Sequence, residues 1–466
     1  MGRAVIVEDG IESYGSALAA KKELIVGLIF GQEISAQKSC VIHMARTPEP
    51  IPEEEEQAQE ESQNKKPDSE KKPVEDFDDD LVLDHARQVL RALPGGITIL
   101  GLFIVHDVDP FQNTALVNRL RKILTSIDAV VKKNSIRQQM TCERIVLHIH
   151  NKSNKYTCKT LEIGNSVSSP KPADWKFVSA AGSPWLELQC TLCVEFFIAL
   201  SDAESAGTLR QQLEAAIDLY ATAVNKSICI IDGEIPRKSD LLDKAAQVEK
   251  GSGKKKSKPS NCEERIKQIN VQILLPEPVL NYEKHECSSE LKFGGQMCIK
   301  AYVHGKATAG EASQVLREDI LRSLWARCDM HCDSLIGDEQ RGKPDVKAVL
   351  HEPPRRVLAP LPYSPISVSD YLFPGEGPAD SLTSLADLLD LGMLLEGDVQ
   401  DYWEAAAELN DVSGLESEIS KLETTITNQT LTAASSTNSR VILLSGFIAL
   451  LAIILSYLTL QLFKSN

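Results

Sequence analysis

The sequence lacks the short motifs that mark the common classes of enzyme. It has no Gly-rich phosphate loop, no G-x-S-x-G nucleophile elbow and no H-E-x-x-H zinc pair. Its 11 cysteines are an odd number, scattered without the spacing of a disulfide framework. A signal peptide is also missing, because Met1 to Gly10 carries no basic region followed by an apolar one. We therefore expect a cytosolic body with reduced thiols.

A basic surface is missing as well. The net charge is −16, and the stretch Glu49 to Asp80 alone holds 14 acids against four lysines, which accounts for −10 of it. Phosphate binding needs a basic face, so nucleic acid is not an expected partner. A short basic run, Lys254 to Lys258, lies among Gly, Ser and Pro residues and is typical of a solvated linker.

One long apolar segment is present, Val441 to Phe463, with Leu451 near its centre. Its 23 residues are uncharged, and 15 of them are Leu, Ile, Val or Phe. At ~1.5 Å per residue the helix would be about 35 Å long, enough to cross a hydrocarbon core of about 30 Å. Only Lys464, Ser465 and Asn466 follow it. The pattern predicts a single-pass tail anchor that fixes the cytosolic body to a lipid bilayer.

The rest of the chain is predicted to be α+β in class. Residues 1–243 form a first α/β domain with the order βββαβαβ, interrupted by a disordered acidic insertion over 47–80. Its clearest strands are Leu24 to Phe30 and Ile97 to His106, and its clearest helix is Leu81 to Leu93. A Lys/Gly/Ser linker, 244–264, leads to a smaller second α/β domain over 265–373. Residues 374–440 are predicted to be a flexible acidic and Ser/Thr-rich stalk before the transmembrane anchor at 441–463.

Cysteine and histidine pairs give weak grounds for a metal site. Cys190 and Cys193 lie in a predicted strand, where a separation of three residues directs them to opposite faces. Cys328 and Cys332 share one face of a predicted helix, but two ligands do not complete a structural zinc site. His148 and His150 face the same way on a strand, and no third ligand follows at a useful spacing. No metal and no cofactor are therefore expected.

Two apolar strands resemble those of the MPN fold, the scaffold of metal-dependent deubiquitinating proteases. They are E-L-I-V-G-L-I-F-G from Glu23 and G-L-F-I-V-H-D from Gly101. Active members of that fold bind zinc through G-x-x-H-x-H-P followed by Ser and Asp, whereas this chain has Ile104, His106 and Asp107, then Thr114 and Val117. The resemblance implies an inactive MPN-like domain, and a metallo-isopeptidase remains the alternative.

Several further segments are similar to the odorant response abnormal protein 4 family over most of the chain. The resemblance implies a tail-anchored protein of the endoplasmic reticulum that assists maturation and trafficking of a subset of G-protein-coupled receptors. It also implies a protein partner, the protease of ubiquitin-fold modifier 1, and no catalytic residues. The segments are G-R-A-V-I-V-E at Gly2, L-P-G-G-I-T-I-L-G at Leu93, K-P-A-D-W-K-F at Lys171, W-L-E-L-Q-C at Trp185, A-Y-V-H at Ala301, L-R-E-D-I-L at Leu316 and L-A-P-L-P at Leu358.

Two tryptophans are candidates for a partner-binding surface, Trp175 and Trp185. Interface cores are enriched in large aromatic side chains. The competing interpretation is that each packs in the core of the fold. In the Pro172 to Trp175 motif, that interpretation is a turn followed by a packed Trp.

Overall fold

Seven strands close into a barrel in the first half of the molecule. The computed structural model describes residues 2–49, 73–133, 141–178, 185–200, 207–242, 266–276, 289–340 and 353–404. The barrel strands are β1 (Arg3–Glu8), β2 (Ile25–Ser35), β3 (Lys38–Arg46), β4 (Thr98–His106), β5 (Glu143–His150), β6 (Lys155–Glu162) and β7 (Lys171–Val178). Their order around the wall is β1-β3-β2-β4-β5-β6-β7. Pairing is parallel for β1 with β3, β1 with β7 and β4 with β5, and antiparallel elsewhere.

The wall is apolar on both faces, which explains why β4 is an almost continuous apolar run. Phe103 and Val105 point into the barrel, where α1 (Gly10–Ala20) adds Ile11 and Leu18 to the interior cluster. Leu102 belongs to a second cluster that includes apolar residues of α2 (Asp79–Ala92) and α3 (Thr114–Lys133). A strand buried on both faces needs apolar side chains at every position.

A four-stranded sheet follows, in the order β11-β8-β10-β9. Its strands are β8 (Trp185–Leu200), β9 (Ile228–Ile231), β10 (Ile266–Leu274) and β11 (Ser289–His304). Helices α4 (Leu209–Asn225) and α5 (Ala309–Gln340) supply apolar residues to the same core as this sheet. The edge strand β9 is short and turns at Asp232 and Gly233, both with positive φ, into a single rung between Ile231 and Glu234. Pro236 follows, and because proline has no N–H the rung cannot extend into a ladder.

A hairpin and a helix complete the described chain. The hairpin pairs β12 (Arg355–Pro360) with β13 (Ser367–Leu372), and α6 (Pro378–Leu389) follows. Two short 3₁₀ turns lie at Pro110–Gln112 and Glu396–Asp398. Leu385 and Leu389 of α6 are fully buried against the barrel's outer cluster.

The predicted division of the body at residues 243 and 265 does not match the sheets. Strand β8, from the predicted first domain, pairs with β10 and along its whole length with β11, both from the predicted second domain. The two strands belong to one sheet because β8 and β11 are each 16 residues long and hydrogen-bond to each other's backbone N–H and C=O groups. Residues 1–406 accordingly form one compact unit. The predicted linker, 244–264, lies outside the described residues.

The prediction of a flexible stalk is wrong for its first 31 residues, 374–404. This segment forms α6 and a bridge from Gln400 to Leu358, and it ends at the buried Glu404. Leucines at helical spacing give α6 an apolar face, so it packs instead of remaining solvated. Most of the predicted acidic insertion, residues 50–72, lies outside the described residues.

In the described ranges, no helix is long and apolar enough to cross a membrane. The predicted anchor, with Val441, Leu451 and Phe463, lies outside those ranges.

Candidate functional site

The carboxyl ends of β4 and β5 bring together the histidines that a zinc protease could have used. Because the two strands are parallel and in register, His106 lies opposite His150. His148 lies one alternation earlier on β5, and its ring meets that of His150 edge to face at 6.2 Å. The ring contact agrees with the prediction that His148 and His150 face the same way, whereas the pairing of β4 with β5 is what brings His106 beside them. The three residues lie at the end of the sheet where ligands often collect.

The ring nitrogens of this histidine cluster are used inside the protein. His148 donates from Nε2 to the carbonyl oxygen of His106 at 3.0 Å. His106 Nδ1 accepts the N–H of Val108 at 3.0 Å, and its Nε2 lies 3.5 Å from Asp107 Oδ1. Burial is the main cause that lowers the pKa of His148, so its ring is neutral near pH 7. These contacts make the cluster a set of backbone caps at the strand ends.

Two further positions of the zinc motif, Ile104 and Val117, lie in the core. Ile104 is 0% exposed, and Val117 lies in the same outer cluster on α3. An apolar core position cannot offer a ligand to a metal. Among residues in the described ranges, no three His, Cys, Asp or Glu side chains are grouped so that they could hold a metal ion.

The cysteine pairs follow their predicted faces. Cys190 is buried and Cys193 is exposed, so the two thiols lie on opposite faces of β8. Cys328 and Cys332 are both buried on α5, and burial raises the pKa of Cys328 and Cys332. Raised pKa values keep these thiols protonated, which makes them apolar packing groups instead of reactive nucleophiles.

Trp185 is part of the core and is not available to a partner. It is 1% exposed at the start of β8, where it pairs with His304 and Ile266. Its prediction as an interface residue is therefore wrong, because a partner could reach it only if the sheet opened. A long apolar strand offered no signal that distinguished its first residue from the others.

Trp175 lies in a different environment, on the half-buried strand β7. Its ring meets Phe177 edge to face at 6.3 Å, and Phe177 meets Tyr156 of β6 in the same way at 5.2 Å. All three rings pack against the barrel's interior cluster and remain partly exposed. We call Tyr156, Trp175 and Phe177 the aromatic seam.

The aromatic seam lies where the barrel wall is weakest. Strands β6 and β7 pair only at Lys159 with Pro172 and at Thr160 with Lys171. On its other side β7 pairs with β1 through six consecutive positions. Within the described ranges, residues 155–158 and 173–178 form no ladder with each other. The three rings of the seam belong to the segments of β6 and β7 that form no ladder with each other.

Ion pairs hold the paired end of the seam. Lys171 Nζ lies 2.7 Å from Glu143 Oε1, and this hydrogen bond is the main cause that lowers the pKa of the Glu143 carboxyl. Farther along β7, Lys176 and Asp174 pair at 3.4 Å on the exposed side of the strand. The lysines of both pairs are more than half exposed, so water screens the attraction and the two pairs contribute little to the stability of the fold.

A contrasting edge occurs on β11, which faces the barrel. The N–H of Cys298 donates to Glu404 at 2.8 Å, and the carbonyl of Cys298 accepts from Arg356 at 3.0 Å. Farther along, the N–H of Lys300 donates to Asp319 at 3.0 Å. These charged side chains cap one end of the edge strand.

The same edge continues to the barrel. The N–H of Tyr302 donates to the carbonyl of Gly95 at 2.9 Å, and its own carbonyl accepts from Gln32 Nε2 at 2.9 Å. Gln32 Oε1 then accepts the N–H of His304 at 3.0 Å. These backbone N–H and C=O groups on the free edge of β11 are thus hydrogen-bonded to other parts of the protein. Such bonding is a usual way of protecting a sheet edge. Sequence reasoning missed Gln32, and a lone Gln within an apolar strand was the available signal.

Comparisons with known proteins agree with the sequence resemblance. The family model described as odorant response abnormal 4-like matches residues 27–399. The protein odr-4 homolog of Homo sapiens is 30% identical over 411 residues, covering 85% of this chain and 85% of that protein. The protein odr-4 homolog of Xenopus laevis is 28% identical over 471 residues, covering 98% and 99% of the two chains. The crystal structure of UfSP from C. elegans matches with a TM-score of 0.40 and 9% identity, covering 84% of this chain and 57% of that one.

Proposed function

Because the chain belongs to the odorant response abnormal 4-like family, we propose that it is a membrane-tethered adaptor without catalytic activity. In this proposal it assists maturation and trafficking of a subset of G-protein-coupled receptors. It does so by recruiting the protease of ubiquitin-fold modifier 1 to the endoplasmic reticulum. The observation that carries the proposal is the family match over residues 27–399.

The histidine cluster supports a binding role over catalysis. A zinc hydrolase needs three protein ligands and an open position for water. In the described structure, Ile104 fills one ligand position with a buried methyl group, and His106 and His148 use their ring nitrogens in hydrogen bonds. We accordingly propose that the barrel with its outer helices is an MPN-like scaffold kept for binding.

The tether in this proposal is the apolar segment Val441 to Phe463. The described body ends at Glu404, so 36 residues separate it from Val441. A connection of that length allows the body to reach a partner or client at a distance from the bilayer.

Co-purification from detergent-solubilised membranes tests the proposal. The full chain should retain the modifier protease, and so should a chain that lacks residues 50–72, because acidic segments of this composition rarely form an interface core. A fragment that begins at residue 265 is unsuitable as a comparison, because it removes β8 from the sheet that it shares with β10 and β11. Absence of the protease from the full-chain sample would contradict the proposed function.

A further inference from the structure

The last described residues of the body, 399–404, lie against the edges of two sheets, and we call them the strap. Gln400 and Leu358 of β12 exchange both backbone hydrogen bonds, at 2.7 and 3.1 Å. Farther along the strap, one carboxylate oxygen of Glu404 accepts the N–H of Arg356 on β12 and the other accepts the N–H of Cys298 on β11, each at 2.8 Å. One side chain therefore protects the edges of two strands that belong to different sheets.

Polar contacts hold the strap against the body. Glu404 is 4% exposed, and its carboxylate accepts two further hydrogen bonds from the guanidinium of Arg327 on α5, both at 2.8 Å. Arg355 donates to the backbone carbonyl of Asp401 at 2.8 Å. The carboxylate of Glu404 thus has four hydrogen bonds from three parts of the body, and it is the central contact of the strap.

Apolar burial contributes less to the strap than to the helix before it. Val399 belongs to a small cluster whose other buried members are Val357 and Leu372. Helix α6, in contrast, packs Leu385 and Leu389 into the large outer cluster of the barrel. Segments with few buried apolar contacts open at a lower free energy than core elements. The strap and α6 are therefore adjacent in the chain but are held to the body by different kinds of contact.

We propose that the strap opens as one unit while the rest of the body stays folded, that the Glu404 carboxylate holds it closed, and that opening uncovers the edges of β11 and β12 together. In the closed state the strap keeps both edges from pairing with another strand. The chain continues from Glu404 toward the segment Val441 to Phe463, so the strap lies between the body and the proposed tether. The proposal is independent of the adaptor function, because the strap is defined by contacts within the body.

Amide hydrogen exchange of the full chain in detergent micelles, at a series of low urea concentrations, tests the proposal. The amides of Cys298, Arg356, Leu358 and Gln400 should exchange with one common protection factor, at least about tenfold below that of the β4 amides. Their exchange should depend little on urea, because opening the strap exposes little surface, whereas exchange in β4 should rise steeply. Four unrelated protection factors, or the same urea dependence as in β4, would overturn the proposal.

The variant Glu404→Ala tests the role given to the carboxylate. Leu358 and Gln400 bond each other and not Glu404, yet their amides should exchange at least about tenfold faster in the variant, because the strap opens as a unit. Asp401→Ala is the matched control, since it removes a carboxylate of the same strap that is 44% exposed and lies 3.7 Å from Arg355. Its exchange rates should stay within about twofold of the wild-type rates. Wild-type rates at Leu358 and Gln400 in Glu404→Ala, or equal effects of the two substitutions, would show that the Glu404 carboxylate does not hold the strap closed.

Discussion

The guanidinium of Arg356 donates two hydrogen bonds to the carboxylate of Asp319, at 2.6 and 3.0 Å, and both side chains are almost fully buried. Asp319 also accepts the backbone N–H groups of Gly95 at 2.7 Å and Lys300 at 3.0 Å. One carboxylate on α5 therefore joins the hairpin strand β12, the barrel loop and the edge of β11. This pair connects the parts of the body that the sequence had suggested were separate domains.

We predict that Asp319→Ala lowers the free energy of unfolding by about 3–5 kcal/mol, because it leaves the buried charge of Arg356 uncompensated. The matched control is Asp84→Ala, since Asp84 pairs with Arg87 on the surface of α2 and both side chains are more than half exposed. Its cost should be below about 1 kcal/mol. Denaturant unfolding measures the free energy of unfolding of both variants. Equal losses would show that the ion pair of Arg356 with Asp319 is not what holds these parts of the body together.

A pH dependence is expected where α6 meets the barrel. His43 Nε2 and His85 Nε2 bond the carbonyls of Leu389 and Leu388, each at 2.8 Å. Burial lowers the pKa of His43 from 6.5 to about 4, and it also lowers the pKa of His85. The unfolded chain therefore binds protons that the folded chain excludes, so this stability is present above pH 6.5 and is lost as pH falls toward 4.

The variant His43→Gln isolates this effect, because glutamine keeps an N–H donor but does not titrate. Between pH 7 and pH 5 the wild-type chain should lose roughly 2 kcal/mol more than the variant. Burial of Asp370, which raises the pKa of its carboxyl to about 6, has the opposite slope but acts equally in both proteins. Denaturation midpoints at the two pH values provide the measurement. Parallel pH profiles would argue against a neutral, buried His43.

Substitution of the two tryptophans should distinguish an effect on stability from an effect on binding of the modifier protease. Trp185→Ala is expected to cost about 3–5 kcal/mol of stability, because it removes a fully buried side chain. Trp175→Ala should cost less, since the ring is partly exposed, but should weaken protease binding. Leu219→Ala is the control for loss of an exposed apolar group, as Leu219 is 67% exposed on α4. Calorimetry and binding assays on the three variants check this, and equal binding by Trp175→Ala and Leu219→Ala would remove Trp175 from the interface.

A single substitution that introduces a charge tests the predicted membrane anchor. Leu451→Arg places a guanidinium near the middle of the segment Val441 to Phe463 and should cost about 3 kcal/mol of insertion free energy. We expect a larger fraction of the variant in the carbonate-extracted supernatant, while Leu451→Ala should remain with the membranes. Complete retention of the Arg variant would contradict a transmembrane location for this segment.

Individual helices and strands could be predicted from the sequence where the pattern of apolar residues was uninterrupted. The apolar run predicted as Ile97 to His106 is β4, Thr98–His106, and the helix predicted from Leu81 is α2, which begins two residues earlier because Asp78 caps it. Strand β7 was not predicted, although Ala173, Trp175 and Phe177 alternate with polar residues, because the preceding Pro172 suggested a turn. Helix α1 was missed because Gly and Ser interrupt its few apolar positions.

The pairing of strands that are far apart in the chain could not be predicted from local patterns. The contact of β8 with β11 joins residues about a hundred positions apart, and neither strand specifies its partner in its own composition. The histidine cluster was predictable in part, because strand parity places His148 and His150 on one face. Which atoms their rings contact depends on the register between β4 and β5, which only the structure provides.

The most direct test of the adaptor account is the location of the modifier protease in cells that contain either the full chain or the chain without Val441 to Asn466. If the protein tethers the protease, the protease should sediment with endoplasmic-reticulum membranes in the first cells. It should move to the soluble fraction together with the truncated chain in the second. A protease distribution that is the same in both, and the same in cells without the protein, would contradict the account.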